Sequence, residues 1–397
     1  MALEVRERLR SAFIYSQELG RFDFGHDHPF KPERAIKTYD LCIRYGVLNH
    51  PWMEVITPKP IDPEALRSFH DDHYLRLLKE AGMGKFDLEM LSHGLGTDDN
   101  PILPGIYEWS LLATGGTALG ADLVASKKAD IALNPVGGFH HARRNYAEGF
   151  CYVNDVVIAA LDLLRRGLRV AFVDIDAHHC NGVQEAFYDE DRFLLISLHE
   201  SGETLYPWTG KETEIGEGKG AGFTVNVPLE AGTDDEVYLE AFRGVVPPLL
   251  SAFQPDMLIA ELGADSLISD PLTHLRLTNN SYQEVVRILK NQCQRVLAVG
   301  GGGYDVYRTA RCWTLAWSIL NNVEPEDEFA GVVGGMMFGP EQEVGSLRDR
   351  AHPTTGPVKE KAMVQAKRRV EWIRRHIFPL HGISSPLKRP AHTFQRP

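Results

Sequence analysis

Five segments of this chain share one design: a short run that is apolar on both faces, then an abrupt change to glycine or to residues that carry chemistry. Residues 129–134 lead into Pro-Val-Gly-Gly-Phe-His-His, 170–174 into Ile-Asp-Ala-His-His, and 193–198 into His199, Glu200 and Ser201. Residues 257–260 lead into Glu-Leu-Gly-Ala-Asp, and 295–299 into four glycines followed by Tyr304. Runs of this kind suit a parallel sheet covered on both faces by helices. The stretches between them supply those helices, predicted at about 108–127, 152–166, 181–189, 235–253, 281–293 and 305–321 from apolar residues at three-to-four spacing. The pattern predicts a single-domain, three-layer α/β/α fold with a mainly parallel, doubly wound sheet, in which ligands bind beyond the carboxyl ends of the strands. Every polar cluster named above falls at such an end. The domain is expected to span 1–380, with 381–397, which lacks a periodic core, as a flexible tail.

Composition narrows the class of partner. With 397 residues, 43% of them hydrophobic, the chain can bury a large core. A formal net charge of −12 argues against a nucleic-acid backbone as the main partner and suits cationic ones, although solubility alone also accounts for it. The five cysteines, at 42, 151, 180, 293 and 312, contain no Cys-x-x-Cys pair, so neither a disulfide framework nor a thiolate zinc knot is expected. No apolar signal core or membrane-length run is apparent, which predicts a soluble, cytoplasmic protein. No internal repeat is visible.

The chemistry concentrates at 174–178. Asp174, Asp176 and His178 occupy alternate positions, and extrapolating the strand through them points all three to one side. Enclosed carboxylates without a counter-charge cost several kcal/mol each, by an order-of-magnitude estimate, so a metal or a paired partner is required there. Asp176 and His178, joined by Asp265 from another strand end, give two oxygens and one nitrogen with an open fourth position, the donor set of a catalytic zinc site that Fe2+ or Mn2+ can also occupy. His140 and His141 sit on a glycine loop, where paired imidazoles can activate water and protonate a leaving group. Tyr304 can donate to a carbonyl oxygen that becomes anionic, and Gly300–Gly303 read as a hinge aiming it, since they lack the lysine and serine or threonine of a phosphate loop. Alone, Asp265 would read as a helix N-cap, Asp174 as an orienter of a histidine, and His70, His73, His199 and His274 as hydrogen-bonded structural residues. Together the parts describe metal-assisted hydrolysis of an amide.

The segments Gly-Gly-Phe-His-His-Ala at 137–142, Gly-Phe-Cys-Tyr-Val-Asn-Asp at 149–155, Asp-Ile-Asp-Ala-His-His at 174–179, Ser-Leu-His at 197–199, Gly-Ala-Asp at 263–265, Asp-Pro-Leu at 270–272 and Gly-Gly-Gly-Gly-Tyr at 300–304 resemble, in order and spacing, the signatures of the zinc-dependent histone deacetylase family. His28 to Arg34 and Gly94 to Asp99 extend the resemblance, and Asp270 to Leu275 with Val299 to Asp305 are most similar to its bacterial acetoin-utilisation branch. The resemblance implies the arginase/deacetylase fold and hydrolysis of acetyl-lysine in proteins or of a similar acylated amine. It implies Asp176, His178 and Asp265 as zinc ligands and His140 and His141 as the pair flanking the attacking water. Asp174 and Asn181 would orient the two histidines, and Tyr304 would polarise the acetyl carbonyl. Phe150 and Tyr206 would wall a narrow tunnel, the Gly149 carbonyl would accept from the substrate amide, and Asp99 would grip the substrate at the rim. A structural potassium ion would take the carbonyls of Asp176, His178 and Leu198 with Asp174 and the Ser197 hydroxyl.

Two positions depart from that pattern. Asn181 stands where many class I relatives carry aspartate, leaving His141 a neutral partner, and Tyr206 replaces a more usual phenylalanine. Three rival readings make different demands on the sequence. An arginase-like two-metal hydrolase would need a second Asp-x-Asp constellation, and a non-catalytic acyl-lysine binder would have lost ligands or tyrosine. An acetylpolyamine amidohydrolase remains the serious competitor.

Overall fold

The computed structural model describes residues 10–325 and 347–384. Eight strands form one sheet: β1 (Ser11–Ile14), β2 (Met53–Ile56), β3 (Ile131–Asn134), β4 (Val170–Asp174), β5 (Phe193–Glu200), β6 (Thr224–Leu229), β7 (Met257–Glu261) and β8 (Val296–Val299). Their spatial order is β2-β1-β3-β8-β7-β4-β5-β6, and every pairing is parallel. The two last strands in sequence thus slot between β3 and β4. That insertion makes neighbours of β3, β8, β7 and β4, whose carboxyl ends carry the histidine pair, the glycine run, Asp265 and the Asp/His segment.

Alternation along these strands divides the core in two. Ala171 and Val173 of β4 and Leu258 and Ala260 of β7 face one apolar layer, with the helices Asp235–Phe253, Asn279–Gln292, Val306–Asn321 and Gly356–His376. Val170, Phe172, Met257 and Ile259 face the other, under the helices Asp72–Gly82, Ile106–Ala125 and Asp155–Arg165. Burial on both faces is why these strands read as continuous apolar runs. The α/β/α architecture and the parallel sheet are as expected.

The five anticipated strands and six anticipated helices are present, with ends shifted by a few residues. Strands β1, β2 and β6 were not anticipated. β1 is only four residues long, while β2 and β6 are the sheet's edges, β2 half-exposed with Glu54 and β6 carrying Pro228, which an edge tolerates because its outer donors need no partner. The long helix Gly356–His376 was also missed, being charged on most of its surface. All five cysteines are buried and unpaired. At the expected domain end, His381 hydrogen-bonds through Nε2 to the Gly222 carbonyl at 2.8 Å, and residues 385–397 of the tail lie outside the described residues. Among the described residues, no helix is long and apolar enough to cross a membrane.

Candidate metal centre and catalytic pocket

β4 ends at Asp174, and this corrects one expectation: Asp176 and His178 lie on the following loop, so the three residues do not share one strand face. Instead they split between two buried clusters. Asp176, His178 and Asp265 converge, with His178 Nδ1 at 3.2 Å from Asp176 Oδ1 and 2.8 Å from Asp265 Oδ2. Backbone donors fix the carboxylates. His178 N donates to Asp176 Oδ1 at 2.8 Å, Gly302 N to Asp176 Oδ2 at 2.5 Å, and Ala177 N to Asp265 Oδ1 at 2.8 Å. Asp265 therefore caps the loop of β4, and no helix begins at it. Glycine is needed at 263 and 302, because a Cβ at either position would collide with the Asp176 or Asp265 carboxylate.

The second cluster joins Asp174 to His140 and Glu261. His140 Nδ1 is hydrogen-bonded to Asp174 Oδ2 at 2.8 Å, and Glu261 Oε1 lies 2.9 Å away without the alignment of a hydrogen bond. Burial by itself would lower the His140 pKa, but Glu261 and Asp174 outweigh it and hold the imidazole well above its usual range. His141 goes the other way: burial, then the neighbouring His140 and His178, press it well below. The two rings meet Nε2 to Nε2 at 3.1 Å, so a protonated His140 can donate to a neutral His141. His141 Nδ1 in turn lies 2.7 Å from Asn181 Oδ1.

Burial also opposes the charged form of His178, yet Asp265 and Asp176 hold its pKa up to about 10. Burial and the charge of Asp176 raise Asp265 to about 7. Four carboxylates, Asp174, Asp176, Glu261 and Asp265, are thus fully buried within one small volume. A divalent cation among Asp176, His178 and Asp265 fits this donor set: two carboxylates and an imidazole nitrogen, already oriented by backbone N–H groups, with excess negative charge to neutralise.

Over the cluster lies a narrow pocket lined by His140, His141, Gly149, Phe150, Asp176 and Tyr304. The Phe150 and Tyr304 rings stand edge to face at 5.7 Å, and Tyr206 packs on His141 at 5.3 Å. Phe150 and Gly149 both have positive φ, 68° and 56°, and a Cβ at 149 would strike the His141 ring. Burial, together with Asp265 and Asp176, raises the Tyr304 pKa well above 10, so its phenol remains a donor. Tyr304 N donates to Asp270 Oδ2 at 2.8 Å, which sets where the ring starts. Asp99 is exposed, with its backbone carbonyl 3.1 Å from His28 Nε2. Ser197 stands opposite Asp174 in the β4–β5 register, its hydroxyl 2.7 Å from His199 Nδ1, and Leu198 points into the apolar core.

Three residues at the site were not singled out from the sequence. Arg34 is fully buried, donates to the Gly303 carbonyl at 2.8 Å and the Gly301 carbonyl at 2.5 Å, and lies over the rings of Phe30 and Trp313. Glu261 is the last residue of β7, a polar end to an apolar run. Glu148 precedes Gly149 and touches Asn181. Arg34 closes the His28 to Arg34 segment, and Glu261 and Glu148 stand beside recognised motifs; position was the only local signal for any of them.

A parallel α/β sheet with a carboxylate and imidazole cluster under a narrow aromatic pocket fits an amidohydrolase. The histone deacetylase domain matches residues 28–320, and the chain belongs to the histone deacetylase family. It is 39% identical over 326 residues to the acetoin utilization protein AcuC of Bacillus subtilis, covering 80% of this chain and 84% of that protein. It is 36% identical over 344 residues to histone deacetylase 1 of Homo sapiens, covering 86% and 70%. Among solved structures it is similar to an HDAC homologue from Aquifex aeolicus, with a TM-score of 0.81 at 30% identity over 91% of this chain and all of that one. An HDAC homologue complexed with SAHA gives a TM-score of 0.80 at 29% identity.

Proposed function

We propose that the protein is a zinc-dependent deacetylase that hydrolyses the amide of acetyl-lysine in proteins, or of a similar acylated amine. The observation that carries this reading is the convergence of Asp176, His178 and Asp265 beneath the pocket that also holds His141 and Tyr304. Zn2+, or Fe2+ or Mn2+ in its place, would be held by those three side chains and would polarise the acetyl carbonyl and acidify water. His141 is neutral, and its Nε2 lone pair, which faces His140 Nε2 at 3.1 Å, turns to the attacking water and takes a proton from it. It returns that proton to the amine as the C–N bond breaks, so acetate and free amine leave. His140, protonated and tied to Asp174, lies beside it as a fixed positive charge. Tyr304 donates its phenolic hydrogen to the carbonyl oxygen as that oxygen becomes anionic.

Phe150 and Tyr206 flank the four-carbon stem of the acyl-lysine, the Gly149 carbonyl accepts from the substrate amide, and Asp99 at the rim meets the substrate backbone. A structural K+ is assigned to Asp174, Ser197 and the carbonyls of Asp176, His178 and Leu198; the register partnership of Asp174 with Ser197 supports it. Acetylated polyamines are the competing substrates, and an acidic chain suits their cationic amines equally. Comparing kcat/KM on acetyl-lysine peptides, acetylspermidine and acetylputrescine tests the assignment. Preference for the peptides is expected; preference for the polyamines would move the function to the competitor, and no hydrolysis of any would refute both.

A further inference from the structure

Asn181 is an ambiguous partner for a histidine, because its amide presents an acceptor on one side and a donor on the other. Here Asn181 Oδ1 lies 2.7 Å from His141 Nδ1, while Asn181 Nδ2 donates to Glu148 Oε1 at 2.6 Å. Arg143 Nε donates to the same Glu148 oxygen at 2.6 Å. A carboxylate paired with arginine accepts only, so the Asn181 amine must face Glu148 and its carbonyl must face His141. That in turn requires hydrogen on His141 Nδ1 and leaves Nε2 with its lone pair.

We propose that Glu148 is a positioning residue: acting through Asn181, it fixes the orientation of that amide and hence the tautomer of His141. Asparagine at 181 then serves without a charge of its own, because the carboxylate stands one hydrogen bond further out. The inference rests on the reading of His141 as the proton carrier.

Glu148→Gln, made in an Arg143→Met background so that no arginine holds the oxygen end of the new amide in place, removes the acceptor-only constraint with little change of shape, since that glutamine can face Asn181 with either end; the Arg143→Met chain is its control. In the full-length protein, metal-loaded and after chelation, the imidazole 15N shifts of His141 should report a single Nδ1–H tautomer for the control and a mixture once E148Q is added. On the best substrate kcat should fall tenfold or more below the control while KM stays within twofold. Adding Asn181→Asp to that chain places an acceptor-only group directly against His141 and should restore one tautomer and kcat to within threefold of the control. An unchanged tautomer with E148Q overturns the proposal whatever the turnover, as does a kcat equal to the control's or no recovery on adding Asn181→Asp. Should no acetyl amide be hydrolysed at all, the proposed activity fails while the tautomer comparison still decides the role of Glu148.

Discussion

At the scale of single residues, the two clusters divide the work between charge and proton. In the proposed centre Asp176 and Asp265 would hold the ion by charge, so Asp176→Asn or Asp265→Asn should weaken zinc binding by about 100-fold or more, measured by competition with a chromogenic chelator; binding within a few-fold of wild type would remove those residues from the centre. Tyr304→Phe keeps the ring but loses the donor to the developing oxyanion, for which a fall in kcat of roughly 100-fold is expected. His141→Ala should cost roughly 10²–10⁴ in kcat. Near wild-type turnover in both variants would contradict the assigned roles. Much of this level was legible, because Asp176 and His178, the paired histidines and the Gly-Ala-Asp segment sit at strand ends where apolar patterning stops. Glu148, Glu261 and Arg34 were not legible. Their roles depend on segments more than 30 residues away arriving beside them, as Arg34 does at Gly301 and Gly303.

Among elements, the loop of four glycines ties the sheet to the site. Gly302 lies against Asp176 and Asp265, and Arg34 reaches from the helix Glu33–Arg44 to hold the carbonyls on either side of it. Gly302→Ala should therefore displace a carboxylate and lower metal content per chain, with less effect on thermal unfolding of the chelated protein. Full metal occupancy in that variant would show that the loop has room the structure does not display. Arg34→Met would strand two buried carbonyls, a cost of about 1–3 kcal/mol each by the usual penalty for unmade hydrogen bonds, and should lower the melting temperature accordingly. Patterning located the central strands because both their faces are buried. It missed β2 and β6 because edges are half-exposed or admit proline, and it carried the strand one turn of alternation too far past Asp174.

For the molecule as a whole, metal binding and protonation are linked. Without metal, Asp265 and Asp176 hold the His178 pKa up to about 10 against its burial, which would place on Nδ1 at neutral pH a proton that the ion must displace, while burial and Asp176 raise Asp265 towards protonation as well. A raised imidazole pKa means that the proton competes with the metal throughout the range below it, so zinc affinity should rise with pH, roughly tenfold per unit between pH 7 and 9. Calorimetric titrations in buffers of differing ionisation enthalpy should show about one proton released per zinc bound at pH 8; no release and no pH dependence would contradict the assignment of His178 Nδ1 as a ligand. The three-layer fold and its parallel sheet were readable from the recurrence of strand, loop and helix. The insertion of β7 and β8 between β3 and β4 was not, since strand order is set by packing between distant segments rather than by any local pattern.

The most direct measurement is anomalous scattering from crystals of the zinc-loaded protein at the zinc edge. One peak per chain is predicted, within about 2.0–2.2 Å of His178 Nδ1 and of an oxygen from each of Asp176 and Asp265. No peak there, or a peak instead among His140, Asp174 and Glu261, would contradict the account.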